Sequence, residues 1–346
     1  MSAKPTQVSE RPMCRAFAAI MLLVPVILGP ATAMAGGSGR TGTAGGLELL
    51  IPTDARGAAM AGSVIAACGG SDSWFWNPAG AALVEGAEIS ASHRTYIADI
   101  TLENVSLAYN TGGLGVLGLS VKALSMDDEP VYTTTQPEGT GEFFSTSFVV
   151  VGVGYARAVT DQVDFGINGN YIAENIYNES AHGVALDMGF LYRPSINGLT
   201  VGVVMKNFGP RMKFDGPDFA QEDDSDTDNS ERRTQSASFE LPAFFQMGAS
   251  WEPPMRGAHR LRVTGAFQSN NFSEDEFRFG SEWGVSDQLF LRAGYSASSQ
   301  EQYMHGMSAG GGLRLPLGDI VTSLDYSWAE AGVFESNHFF TVKVQF

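Results

Sequence analysis

The chain has 346 residues, of which 17 % are charged and 41 are glycine, against roughly 25 % charge and about 7 % glycine in an ordinary soluble domain. That composition excludes a disordered chain and an ordinary cytosolic enzyme. The formal net charge is −17, and phosphate binding needs clustered lysine and arginine, so nucleic acid is not an expected partner.

Residues 1–35 read as a secretory signal. Lys4, Arg11 and Arg15 precede an apolar run over 16–28, and Ala33-Met34-Ala35 forms a small-x-small cleavage pattern. A membrane anchor is the alternative, but the run is short of the roughly 20 residues that a spanning helix needs. Cys14 leaves with the signal, so Cys68 stands alone and no internal disulfide is expected. No later stretch has the length of a transmembrane helix. Export without disulfides or a spanning helix leaves the periplasm, the outer membrane or the medium.

Residues 36–85 are rich in glycine and alanine and end in Trp74-Phe75-Trp76-Asn77-Pro78-Ala79-Gly80. Thr53 or Asp54 can cap a short helix through Ala61, and Asn-Pro-Ala-Gly reads as a turn. The segment is too short to bury a core of its own. A plug inside or beneath a larger structure is the expectation. A periplasmic tail is the alternative, and it would leave the Trp-Phe-Trp cluster in water.

From residue 86 onward the pattern has period two, the signature of strands. Val163, Phe165 and Ile167 alternate with Asp164, Gly166 and Asn168; Phe340, Val342 and Val344 alternate with Thr341, Lys343 and Gln345. Fourteen strands are expected, near 87–94, 101–110, 114–124, 146–157, 162–174, 182–193, 199–207, 239–251, 258–268, 275–285, 288–297, 304–315, 319–328 and 336–346. Even-numbered connections are tight (Thr111-Gly112-Gly113, Ser286-Asp287), whereas odd-numbered ones are longer, notably 125–145 and 208–238. That parity, an even strand number and aromatics near strand ends are features of an outer-membrane barrel. In a bilayer every backbone amide must be paired internally, which a closed barrel achieves with strands of about 9–11 residues.

A family resemblance lies in the N-terminal part. The run Thr43-Ala44-Gly45-Gly46-Leu47-Glu48-Leu49-Leu50-Ile51-Pro52, then Asp54-Ala55-Arg56-Gly57-Ala58-Ala59-Met60-Ala61-Gly62-Ser63, and finally Trp76-Asn77-Pro78-Ala79-Gly80 resemble the signature of the PorV/PorQ family, within the FadL-like class of outer-membrane barrels. Leu241-Pro242 and the ending Thr341-Val342-Lys343-Val344-Gln345-Phe346 are also similar. The resemblance implies a barrel that binds exported proteins or components of a type IX-like secretion system and hands substrates to a surface attachment machine. The FadL-like alternative is passive uptake of hydrophobic compounds such as long-chain fatty acids, with a displaced hatch opening a lateral path.

Other motifs carry little chemistry. Gly113-Leu114-Gly115-Val116-Leu117-Gly118 matches G-x-G-x-x-G but enters a strand, not a helix, so no dinucleotide cofactor is expected. Gly306-Met307-Ser308-Ala309-Gly310 matches G-x-S-x-G, again with no helix after it. Glu222, Asp223, Asp224, Asp226, Asp228 and Glu231 read as a solvated loop, and weak binding of divalent ions is the alternative. The five histidines show no ligand spacing, so no metal is expected. Inward polar residues of both signs, among them Lys122, Asp187, Lys206, Arg262, Arg278, Glu282, Arg292 and Lys343, either pair with one another and the plug or line a polar path.

The expectation is thus an all-β, 14-stranded antiparallel transmembrane β-barrel without catalysis or cofactors, in contact with outer-membrane lipid: signal 1–35, hatch 36–85, barrel 86–346. Arg56, Trp74, Trp76, Asn77, Pro78 and Gly80 are the candidate hatch residues. Leu49, Ile51 and Phe75, beside Trp74 and Trp76, are candidates for a pocket for hydrophobic small molecules. Tyr132, Phe143, Phe144 and Phe334, with Val131 and Val333, are candidates for an extracellular surface that binds partner proteins.

Overall fold

The computed structural model describes residues 42–96, 100–221, 232–233, 236–255, 257–299, 306–332 and 336–346. Fourteen strands form one wall: β1 Ala87–Thr95, β2 Thr101–Asn110, β3 Val116–Ser125, β4 Thr146–Thr160, β5 Val163–Ile176, β6 Glu179–Tyr192, β7 Leu199–Phe208, β8 Phe244–Trp251, β9 His259–Asn270, β10 Glu276–Val285, β11 Leu289–Ser298, β12 Met307–Leu317, β13 Ile320–Ala329 and β14 Asn337–Gln345. Each pairs antiparallel with the next, and β14 pairs with β1, Phe340 opposite His93 and Gln345 opposite Glu88. The barrel is therefore closed and leaves no free edge.

Side-chain placement is inverted relative to a soluble sandwich. Val105, Leu119, Val153, Phe279, Leu291 and Val342 point outward and are exposed, whereas Ser90, Asn104, Asp164, Asn168, Lys206 and Gln246 are buried inside. A ring of outward apolar side chains around a polar interior is what a strand wall in hydrocarbon requires.

Connections at one end are tight, with Gly112, Gly198, Gly257 and Gly318 in the left-handed region and Ser286 and Asp287 there as well. Phe346 lies at this end, its N–H donating to Ala87 O at 2.9 Å. The other end carries the longest connections, 126–145 and 209–243, but there β5 also turns into β6 within two residues, Tyr177 at φ 54°, and β1–β2 and β9–β10 are joined by five each. Strand β6 thus begins at 179, not 182. Strand β8 begins at Phe244, not 239, because Phe239 bridges Met212 and Glu240 bridges Ala44 before Pro242 interrupts the pattern.

Residues 44–86 run through the lumen as short turns: Leu47–Leu50, helix α1 Ala55–Ala59, Ser63–Ala66, helix α2 Ser73–Trp76 and Pro78–Leu83. None of these is long enough to persist alone. Their entry is held at the long-connection end, where Gly45 N donates to Glu240 O at 3.1 Å. The wall receives them through facing glycine pairs. Gly118 and Gly154, opposite each other on β3 and β4, lie under the Trp74 indole; Gly166 and Gly189, opposite each other on β5 and β6, lie under Asn77 and Pro78. Any Cβ at these four positions would fall within 2.4 Å of the hatch. The G-x-G-x-x-G and G-x-S-x-G matches belong to the same plan, since Gly118 takes Trp74 and Gly310 packs on Ala59.

Candidate functional site

The two halves of the lumen differ in character, one packed with apolar side chains and the other charged. In the half toward the long connections, Leu102, Leu124, Phe148, Val150 and Ile172 point inward from β2 to β5 and pack on Leu49 and Ile51. Met212 and Leu241 cover them from the 209–243 connection, with Tyr96, Phe214 and Phe239 partly buried beside them. Each fully buried side chain of this size contributes roughly 1.5–3 kcal/mol.

Beneath this cluster, Phe75 is flanked by two buried ammonium groups. Lys122 Nζ donates to Glu48 O at 2.6 Å and Ile51 O at 2.8 Å, tying down the first turn of the hatch. Lys206 Nζ donates to Phe75 O and lies 3.9 Å from the centre of the Phe75 ring. The next residue, Asn207, adopts φ 57°, donates its N–H to Asp187 Oδ1 at 2.7 Å and marks a slip in the β6–β7 ladder between Leu186 and Met188. A void of about 40 Å³ lies between Leu49, Phe75, Val150 and these polar groups. A second, of about 70 Å³, lies between Leu50, Phe75, Trp76 and Phe244.

The other chamber is charged. The Glu282 carboxylate accepts from Arg56 at 2.9 and 3.1 Å, from Arg262 at 2.9 Å and from Arg292 at 2.7 Å, while Arg292 also reaches Asp325 at 2.5 Å. Lys343 pairs with Asp72 at 2.5 Å. These groups border a cavity of about 340 Å³ and, next to it, a groove of about 870 Å³ at the tight-turn mouth.

Within the hatch, Asp54 caps α1 by accepting from Gly57 N at 2.7 Å and also accepts from Trp76 Nε1. Burial, and then the neighbouring Asp72, push its carboxyl up to about 6. Burial pushes the Cys68 thiol up to about 12.

The residues singled out in the sequence do not share one place. Leu49 and Ile51 belong to the apolar chamber, Trp74 packs with Val84, Ala108 and Val116, and Trp76 packs with Met60 and Val64. Trp74 Nε1 donates to Leu107 O at 2.9 Å. Asn77 joins hatch to wall, its Nδ2 donating to Ile65 O at 3.0 Å and Phe190 O at 3.2 Å, and Pro78 opens the following turn. Gly80 fits beneath the Cys68 sulfur. At the outer end Tyr132 and Phe143 are exposed and Phe144 is half-buried, the two phenylalanines pairing with Glu129 and Pro130. Phe334, Val333 and the acidic run 222–231 lie outside the described residues. Sequence reasoning missed Arg94 because β1, Ala-Glu-Ile-Ser-Ala-Ser-His-Arg-Thr, contrasts its two faces only weakly.

No protein-family model and no curated protein matches the chain. Among solved structures it is similar to the CymD monoaromatic hydrocarbon channel, with 14 % identity over 86 % of this chain and 98 % of that one and a TM-score of 0.54. It is also similar to the Pseudomonas putida toluene transporter TodX, with 12 % identity over 84 % and 97 % and a TM-score of 0.54. At this identity the shared property is the fold alone.

Proposed function

We propose that this chain is an outer-membrane conduit through which small, predominantly apolar molecules pass without an energy source, after export directed by residues 1–35. The observation that carries the reading is the division of the lumen: outside the hatch, on the β2–β5 side, apolar side chains pack together, whereas inside it charged side chains line the cavity. A pore for polar solutes keeps a wet, polar lumen throughout. Here an apolar solute gains by entering the outer chamber and loses by going on past Arg262, Glu282 and Arg292, whose charges would have to give up partners or water. A sideways exit into hydrocarbon fits better, and the ladder slip beside Phe75 and Lys206 is the place for it. The names of the matched channels agree with a hydrophobic cargo. The secretion role that the PorV/PorQ resemblance implies has no counterpart among them, and of its candidate surface only Tyr132 and Phe143 are exposed among the described residues.

The test is uptake of labelled toluene and of a polar solute of similar size by cells with and without the gene. Faster toluene entry with unchanged polar entry is expected. Equal toluene entry in the two strains, or loss of surface-released proteins without any uptake effect, would overturn the reading.

A further inference from the structure

The tight-turn mouth carries a surface that a sideways exit of small molecules does not use. The connection between β6 and β7 and the connection between β8 and β9 meet there, tied at their base where Glu252 N donates to Gly198 O at 2.8 Å. Between them runs the groove of about 870 Å³, with Ala66, Ala67 and Cys68 of the hatch in its lining. A volume of that order takes a drug-sized ligand or a short stretch of chain.

The lining is amphipathic. Ile196, Met255 and Leu83 are 60 %, 48 % and 48 % exposed, three large apolar side chains in one depression at a water-facing mouth. Exposed apolar surface among polar groups marks an interaction site. The charge beside them is mainly positive: the side chains of Arg193, Arg260 and Arg262 are 32 %, 48 % and 25 % exposed, and Glu252 is the single carboxylate among the described lining residues. Arg193 donates to the fully buried Asp164, Arg260 to Glu252 and Asp287, and Arg262 to Glu252 and Glu282, two bonds each. A guanidinium has five N–H donors, so each keeps donors for a guest.

We propose that this groove docks an acidic, apolar peptide segment of a periplasmic protein. Charge complementarity selects it: carboxylates of the segment accept from Arg193, Arg260 and Arg262, and its apolar side chains cover Ile196, Met255 and Leu83. A basic segment would meet three guanidinium groups, and a purely polar one would leave the apolar side chains in water. The tie between Glu252 and Gly198 fixes the two connections before the segment arrives, which lowers the ordering cost of binding. Both connections are short, as periplasmic turns of such barrels are, and the groove stays open to the periplasm. A segment seated there touches hatch and wall together, whatever the conduit carries.

The test is fluorescence anisotropy of labelled hexapeptides added to the full-length mature protein, folded in detergent, with protein-free micelles as the blank. A peptide of alternating glutamate and leucine should bind about tenfold more tightly than peptides in which lysine replaces glutamate or serine replaces leucine. Its affinity should fall about fivefold between roughly 0.05 and 0.5 M salt. R260Q and, separately, I196S should each weaken it about tenfold. Both side chains are exposed, and heat-modifiable migration on gels checks that each variant still holds a folded barrel. Equal binding of the lysine peptide, no binding of the glutamate–leucine peptide, or binding that neither variant alters would overturn the docking site. Displacement of the peptide by an equal concentration of free glutamate would make the groove a site for small anions and overturn the protein partner.

Discussion

Alanine at Gly118, at Gly154 and at both tests whether the hatch is held by its fit to the wall. A methyl carbon at Gly118 would lie 2.0 Å from Trp74 Cε2, and one at Gly154 would lie 2.4 Å from Cε3. The indole spans this cross-strand pair, so sliding off one methyl brings it onto the other. It must lift from the wall, losing the 2.9 Å bond from Nε1 to Leu107 O. Overpacking of this kind costs about 1–3 kcal/mol per site, which is roughly a 5- to 150-fold shift in hatch docking. The two costs share one ring and should not add. Cys68 provides the assay. It is 6 % exposed and burial pushes its thiol up to about 12, so the thiolate, the form that attacks a maleimide, is scarce and shielded while the hatch is docked. Labelling should be about 5- to 150-fold faster in each single variant and no slower in the double. The barrel's own ladders, and hence its heat-modifiable migration, should be unaffected. Labelling within twofold of the parent in all three variants would refute the idea that glycine sockets retain the hatch.

Three further outcomes follow from geometry already described. Glu282→Gln leaves Arg56, Arg262 and Arg292 without their shared carboxylate and should cost about 3–5 kcal/mol, read as a lower unfolding temperature in detergent. Because the Asp54 carboxyl is raised from 3.8 to about 6 in the folded hatch, its contribution to stability is complete below about 3.8 and is lost as pH rises through about 6. Amide protection in α1, corrected for intrinsic exchange, should fall across that window and hold steady in Asp54→Asn. Val153→Arg places a charge on the outer face of β4, where the valine is 64 % exposed; a loss of about 2–4 kcal/mol is expected in equilibrium folding into lipid vesicles, and none if that face meets water.

Much of the barrel was legible in the chain because alternation is imposed by two solvents at once. Phe277, Phe279 and Trp283 against Glu276, Arg278 and Glu282 can be read without coordinates. The start of β8 was not legible: Ser238-Phe239-Glu240-Leu241 alternates as a strand would, yet Phe239 covers Gly45 and bridges Met212, a tertiary use that local pattern does not reveal. The Trp-Phe-Trp cluster announced burial, but not that Trp74 parts from Phe75 and Trp76, which stay edge to face at 4.8 Å, since that depends on where the wall lacks Cβ atoms. Lys122 and Lys206 were readable as inward-facing. Their partners are backbone carbonyls of the hatch, which no spacing of charged residues can indicate. Arg94 went unnoticed for a related reason, because its neighbours on β1 are small, polar and short of contrast.

The closure of β14 onto β1 has a consequence for biogenesis. Residues 44–86 occupy the axis of a hoop whose fastening lies between the first and last staves, with Phe346 clasping Ala87. Trp74 and Pro78 sit on glycine pairs of the wall's inner face, so they are encircled once the clasp is fastened. A stopper set in place while the staves are still an open ribbon is sealed inside when β14 joins β1.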